Sequence, residues 1–386
     1  MPKFLELFAG IGLVRKGLEL ASSDWICVGA NDIDLGKSEI YNKNFGYRNF
    51  IRDDISNIKS YHFPNPDVIT ASFPCQDVSL AGNRLGLGGE RSGLFFDFLR
   101  IVDEYIHNEH RPNFLVIENV MGLVSSNNGN DLKTVVKMLN FLGYCVDLLV
   151  LDAANFLPQS RVRIFIIGVN KNIDIKEVRE KTAFTHKARK NKALFDFYQK
   201  NKELDWVFLD LEDLTVNRTG LSVIIDTEDK NWFKDNVRLK EIEYITNSTN
   251  GQKKIEKAIL KATLLNKSQY LTGYRRMREH VVCLELRDDD VAGCLRTPTG
   301  GSSKQLLIEV TSDSEIKIRY MNPREYARLQ GVNDDFWISD NIRQSLYGFG
   351  DAVAVPVITW IGKQIERVCY DDSKCTLQNS TNISII

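Results

Sequence analysis

The chain lacks the staples of small secreted domains. Its seven cysteines (Cys27, Cys75, Cys145, Cys283, Cys294, Cys369 and Cys375) are odd in number, scattered and never spaced as CxxC. That excludes a disulfide framework and a cysteine-rich zinc site, and suits reduced thiols in a cytosol. Histidine is scarce, with five residues. His107 and His110 have no companions that would make them metal ligands, so no metal is expected. No apolar run approaches the roughly 18 residues of a membrane span. The first residues enter a strand-like segment, so neither a signal peptide nor a membrane role is expected. Repeats and low-complexity tracts are missing too. Neither sign of charge prevails, because 50 Lys+Arg against 51 Asp+Glu leave a net charge of −1. A uniformly basic surface is thereby excluded, but a local basic groove is not, since binding depends on where charge sits.

What is present is globular: 43% hydrophobic and 26% charged residues over 386 positions, enough for more than one domain. Phe4 to Phe8 reads as a first strand, followed by Ala9-Gly10-Ile11-Gly12 and a helix with Leu13, Gly17, Leu20 and Ala21 on one face. A strand, a glycine turn and a helix form a nucleotide-like binding corner. The third glycine of the dinucleotide fingerprint is replaced by Arg15, which weakens a nicotinamide reading. The next strand, Trp25 to Ala30, ends in Asn31-Asp32-Ile33-Asp34. An acid there can hold a ribose hydroxyl pair or cap the next helix; Asp32 is assigned to the ribose. Asp53-Asp54-Ile55 ends a third segment, suited to an adenine amino group and an apolar ring contact. Strands and helices alternate as far as Val169, which predicts a doubly wound α/β domain.

At the end of the apolar run Val68-Ile69 stands Ala71-Ser72-Phe73-Pro74-Cys75-Gln76-Asp77-Val78-Ser79, then a segment with Gly82, Gly86, Gly88, Gly89 and Gly93. Pro74 fixes φ and gives Cys75 a rigid mount, as a nucleophile needs. The bland alternative is a half-buried core thiol. Phe114 to Ile117 is a buried strand ending in Glu118-Asn119-Val120, where the acid is either an exposed terminus or a catalytic group at a pocket rim. Gln159-Ser160-Arg161-Val162-Arg163 leads into Ile164 to Gly168. From Lys171 the character changes. Basic clusters crowd an irregular region: His186 to Lys192, Lys253 to Lys267, and Tyr274-Arg275-Arg276-Met277-Arg278. Each alone is a solvated face; together they favour a nucleic-acid surface. Asp371 to Ile386 is expected to fray.

The cofactor turn, the Pro-Cys-Gln nucleophile, the Glu-Asn-Val acid and the Gln-x-Arg-x-Arg pair stand in a fixed order. With Gly93 to Asp97, Pro323-Arg324-Glu325, Arg328 to Gly331 and Gly350 to Val353, this set resembles the cytosine-5 DNA methyltransferases over nearly the whole chain. The resemblance implies an α/β fold: an S-adenosylmethionine-dependent, Rossmann-like mixed sheet with helices on both faces, plus a smaller inserted target-recognition domain. The implied division is catalytic and cofactor-binding 1–170, target recognition 171–318, hinge and short helix 319–347, and a return to the catalytic domain over 348–386. The implied reaction flips a cytosine from duplex DNA, attacks carbon 6 with Cys75 and transfers a methyl group from S-adenosylmethionine to carbon 5. Glu118, Arg161 and Arg163 would stabilise the activated ring. Phe8, Ala9, Gly10, Ile11, Gly12, Asp32, Ile33, Asp54, Ile55, Pro74, Leu94, Asp351, Ala352 and Val353 would hold the cofactor. Gln76, Ser79, Arg91, Arg275, Arg276, Gly300 and Gly301 would touch DNA. Three positions depart from the family pattern: Ile33 replaces an aromatic residue, Asp351 an asparagine, and Cys294 a threonine. The nearest alternative, a tRNA-methylating branch, carries a Cys-Phe-Thr tripeptide that is absent here. A monomer in a bacterial cytoplasm, associated with the nucleoid and paired with a cognate restriction endonuclease, is the expected setting.

Overall fold

The computed structural model describes residues 1–73, 93–214, 216, 219–298 and 302–369. The Pro74, Cys75, Gln76, Ser79, Arg91, Gly300 and Gly301 assignments, and the frayed tail, lie outside the described residues. Seven strands make the larger sheet: β1 (Lys3–Leu7), β2 (Ile26–Asn31), β3 (Phe50–Ile51), β4 (Val68–Ala71), β5 (Phe114–Val120), β6 (Tyr144–Asp152) and β7 (Val162–Asn170). Their order is β3-β2-β1-β4-β5-β7-β6. Only β7 runs against its neighbours β5 and β6. The strand order reverses between β1 and β4, where an open α/β sheet leaves a crevice beyond its carboxyl ends.

Alternation along each strand decides what lies on which face. Phe4, Phe114, Val116, Phe165 and Ile167 join one core, roofed by α1 (Leu13–Ala21) and a C-terminal apolar helix. Leu5, Leu7, Leu115, Ile117 and Ile166 join the other. That face is covered by the helices Leu94–His107 and Asn130–Phe141, which become α3 and α4 once Leu35–Phe45 is counted as α2. α1 and the C-terminal helix meet closely at Gly17, where a Cβ would lie 2.5 Å from Ile358 Cβ. β5 is longer than the sequence suggested, since Glu118, Asn119 and Val120 are paired residues of the strand.

A second, antiparallel sheet has the order β11-β10-β8-β9, from β8 (Gln269–Arg278), β9 (Val281–Arg287), β10 (Leu306–Val310) and β11 (Ile316–Tyr320). With α5 taken as Lys192–Lys200, α6 (Asp235–Thr246) and α7 (Thr249–Leu265) follow, and both pack on this sheet around a separate core running from Ile245 to Ile318. The described residues between 171 and 232, expected in the inserted domain, pack on the larger sheet. Ala188, Val207, Leu209 and Leu221 belong to its core. Arg189 forms a buried pair with Asp147 of β6 (Nε–Oδ1 2.8 Å). The basic run 186–192 thus supplies an internal ion pair as well as a surface.

The chain then passes through α8 (Pro323–Leu329), α9 (Ile342–Asp351) and α10 (Val355–Cys369), the C-terminal helix above. Ile342–Cys369 is long and apolar enough to cross a membrane on length and composition alone, contrary to the expectation that no stretch reaches that size. It is broken at Ala352–Ala354, and 72% of its most apolar window is buried in the fold.

Candidate active site

The turn after β1 is held by unusual backbone geometry. Phe8 (φ 57°), Gly10 (φ 57°) and Gly12 (φ 85°) all lie in the left-handed region. For Phe8 that conformation is strained and has to be enforced by its surroundings. Its ring packs edge-on against Phe73, with centroids 6.1 Å apart. The two glycines serve different needs. A Cβ on Gly12 would come within 2.4 Å of Phe45, so Gly12 lets the turn lie on α2. A Cβ on Gly10 would meet nothing within 4 Å, because Gly10 faces open space. Asp32, at the end of β2, clamps the turn: its carboxylate accepts from the Gly10 N–H and the Asp34 N–H, both at 2.8 Å. Asp34 caps α2 by accepting from the Lys37 N–H at 2.8 Å. The capping reading therefore applies to Asp34, while Asp32 clamps the turn.

Beneath the turn lies Glu6, buried on β1. One oxygen accepts from the Arg15 N–H at 3.4 Å, while Oε2 finds no hydrogen-bond partner. Burial pushes its carboxyl up to about 8. Arg15, at the missing third glycine, pairs with Glu19 (2.7 Å) and lies 4.6 Å over the Phe45 ring.

Strand parity sends Glu118 and Asn119 to opposite faces. Glu118 lies opposite Phe165 and Val120 opposite Arg163 in the β5–β7 ladder. Glu118 and Arg163 are therefore diagonal neighbours on one face, within reach of long side chains. Arg163 Nε sits 2.9 Å from Glu118 Oε1, with both side chains largely buried. Asn119 points the other way. Its amide donates to the Phe73 carbonyl at 3.1 Å, and its oxygen accepts from the Val120 N–H at 2.9 Å. Asn119 thus ties β5 to the last described residue before Pro74-Cys75. This tie escaped the sequence reading, although parity obliges an amide one residue from the acid to face away from it.

Arg161 does not reach toward Glu118 with hydrogen bonds. Its guanidinium donates to the carbonyls of Leu295 (3.1 Å), Gly350 (3.3 Å) and Asp351 (3.2 Å), and to Cys294 Sγ (3.4 Å). Burial, with Arg163 nearby, holds its pKa below the usual arginine range. Arg161 therefore straps the C-terminal return and the loop after β9 to the larger sheet. Gln159 and Gln330 extend the strap: Gln159 Nε2 donates to the Leu329 carbonyl (2.7 Å), and Gln330 Nε2 to Phe349 (2.6 Å) and Ala352 (3.0 Å). Gly350 allows the closest approach, since a Cβ there would lie 2.6 Å from the Arg296 carbonyl carbon.

These elements surround a cavity of about 480 Å³ beyond the ends of β1, β2, β4 and β5, the size of a small-molecule site. Its walls bring together Phe8, Ala9, Gly10, Ile11, Asp32, Ile33, Leu94, Glu118, Arg161, Arg163, Asp351, Ala352 and Val353. Gly12, Asp54 and Ile55 are not on the wall. Asp54 accepts from the Ser56 N–H (2.9 Å) and hydroxyl (2.7 Å), which hold it below the usual carboxylate range. Ile55 is buried beside it. Lys37, unmarked in the sequence reading, does line the cavity. A more open cleft of about 640 Å³ shares Val120, Arg163, Gly350 and Asp351 with it and is walled by Cys294–Thr297, Ser302 and Ser303. Arg275 does not point there freely. It is committed to Glu241, with Nε–Oε2 at 3.1 Å. Arg276 lies 4.9 Å over the Tyr274 ring and donates to the Ser302 carbonyl at 3.0 Å.

The model of the C-5 cytosine-specific DNA methylase family matches residues 2–367. The type II methyltransferase M.BanI of Aneurinibacillus aneurinilyticus is 31% identical, covering 92% of this chain and 94% of its own. M.HhaI of Haemophilus parahaemolyticus is 27% identical, covering 94% of each chain. In fold, the chain is similar to S. pombe Dnmt2 (TM-score 0.59, 17% identity) and to an Entamoeba histolytica methyltransferase (TM-score 0.62, 15% identity). Each match covers 95% of this chain and 98% of the other. The chain belongs to the C-5 cytosine-specific DNA methylase family and is an S-adenosylmethionine-dependent DNA (cytosine-5-)-methyltransferase.

Proposed function

We propose that the cavity is where both the cofactor and a flipped cytosine are held, and that Cys75 attacks carbon 6 of that cytosine. The observation that carries this reading is the Glu118–Arg163 pair on the wall of a cavity also walled by the glycine turn and Phe73. The cavity suits an adenosyl sulfonium: Gly10 leaves open space, Asp32 offers a carboxylate for ribose hydroxyls, and Phe8, Ile33 and Leu94 offer apolar walls. The cofactor, when bound, supplies an electrophilic methyl group.

Cytosine carbon 5 is a poor nucleophile until a thiolate adds at carbon 6 and makes it enamine-like. Glu118 holds ring nitrogen 3 and shares a proton with it as charge builds. Arg163 fixes the Glu118 carboxylate and donates toward the ring oxygen. Arg161 is proposed as a positioning residue, because both of its terminal nitrogens donate to backbone carbonyls. Gln76, Ser79, Arg91, Arg276, Gly300 and Gly301 remain the proposed DNA contacts, with Arg275 acting through the packing of β8. Within the stretch 171–318 expected for target recognition, the antiparallel sheet with α6–α7, which has its own core, selects the sequence.

The partner is duplex DNA. We assign the chain to a type II restriction–modification system, the designation its relatives carry, in which methylation blocks a cognate endonuclease. It acts as a monomer in a bacterial cytoplasm, where thiols stay reduced. The test is methyl transfer to duplex DNA and to tRNA, followed by bisulfite sequencing of DNA from expressing cells. Methylation at one short duplex sequence supports the reading; methylation of tRNA alone would overturn it.

A further inference from the structure

Among the described residues, four anionic and three cationic side chains line the cofactor cavity: Asp32, Asp34, Glu118, Asp351, and Lys37, Arg161, Arg163. Five of these already have a role in the fold or in the reaction proposed above. Asp32 and Asp34 accept from backbone N–H groups, Glu118 and Arg163 hold each other, and Arg161 donates to backbone carbonyls. What remains is Lys37 of α2 and Asp351 of α9, whose Nζ and Oδ2 lie 2.7 Å apart. The ammonium is mostly buried, whereas the carboxylate is half exposed. Burial opposes the lysine's charge, but the carboxylates of Asp351, Asp32 and Asp34 outweigh it and hold its pKa above the usual range. The Asp351 backbone is fixed by Arg161, and its neighbours by Gln330. Asp351 is also one of the departures from the family pattern, a charge where an amide is usual, and Lys37 balances it.

We propose that the Lys37–Asp351 pair grips the amino-acid end of S-adenosylmethionine, Lys37 holding the α-carboxylate and Asp351 the α-ammonium. This rests on the assignment of the cavity to the cofactor. An ammonium has three donors and an ionised carboxylate about four acceptor positions. Each partner therefore keeps capacity after bonding the other, and the pair is complementary to a zwitterion, whose opposite charges also lie side by side. Of the cofactor's parts only the amino-acid end is a zwitterion.

The test compares two ligands by calorimetry: S-adenosylhomocysteine, and 5′-methylthioadenosine, a related nucleoside thioether without the amino-acid end. Lys37→Met and the milder Asp351→Asn should each weaken S-adenosylhomocysteine at least about tenfold, one decade of affinity being about 1.4 kcal/mol. Methylthioadenosine should bind both variants within about twofold of the wild type, which also reports that the site is folded. Equal loss for both ligands would reduce the pair to a structural strap and overturn the proposal, as would unchanged binding of S-adenosylhomocysteine. Asp32→Ala separates the two layers of the argument, since it should weaken both ligands alike. If it spares both, the cavity assignment itself fails and this proposal falls with it.

Discussion

Glu118 and Arg163 show how much a single side chain owes to register. Both were legible in sequence as strand-end residues, but their contact depends on β7 running antiparallel to β5, which no local pattern announces. Replacing Glu118 by glutamine keeps a hydrogen-bonding amide near the base and removes the shared proton. We expect methyl transfer to slow by about one to three powers of ten, each worth about 1.4 kcal/mol of barrier. DNA affinity should hold in a gel-shift titration, because phosphate contacts are untouched. Glu6 was invisible as a titrating group, since in sequence it is one acid inside an apolar strand. Its folded pKa is raised to about 8 from an ordinary 4.5, so the folded state binds the extra proton in that window. Its contribution to stability is whole below pH 4.5 and is lost as pH rises through about 8. The thermal midpoint of Glu6→Gln should therefore fall less steeply than that of the wild type between pH 6 and 8.5. Parallel slopes would contradict the burial argument.

The elements that position the site were read with uneven success. The glycine turn was plain, because strand, glycines and amphipathic helix are local signals. The cavity wall at Ala352 and Val353 was found by family pattern, but what holds it there was not: Arg161 and Gln330 act across 190 and 22 residues of sequence. The short helix α8 is a clear case. Asn322 and Glu325 form a capping box, a readable motif. The same Glu325 is fully buried, accepting from Arg319 at 2.6 and 2.7 Å and from the Asp226 N–H at 3.0 Å. It thereby fastens the end of β11 to the chain that enters α6. Removing one partner of such a buried pair strands the other charge. Glu325→Ala should cost about 3–5 kcal/mol in denaturant unfolding, whereas an exposed pair such as Lys202–Glu180 should cost less than about 1 kcal/mol.

At the scale of the molecule there are two sheets, and a loop from the smaller one meets the larger at Arg161, Arg163 and Gly350. The doubly wound fold was legible because alternating strands and helices leave few alternatives. The smaller, antiparallel-sheet unit was legible only as a change of composition. Its core is non-local, and the 171–232 segment carries similar charge while packing on the other sheet. With a net charge of −1, DNA affinity must come from local clusters. It should fall steeply with salt, by about 0.9 in log K per log salt for each phosphate neutralised. A flat salt response in fluorescence titrations would contradict that. The most direct test of the central claim uses duplex DNA carrying 5-fluorocytosine at the methylated position, where fluorine cannot leave as a proton does. The wild type should become trapped on that DNA, with S-adenosylmethionine present, as a complex that survives denaturing electrophoresis, and Cys75→Ser should not. Trapping of the Cys75→Ser protein at the wild-type level would show that another residue is the nucleophile.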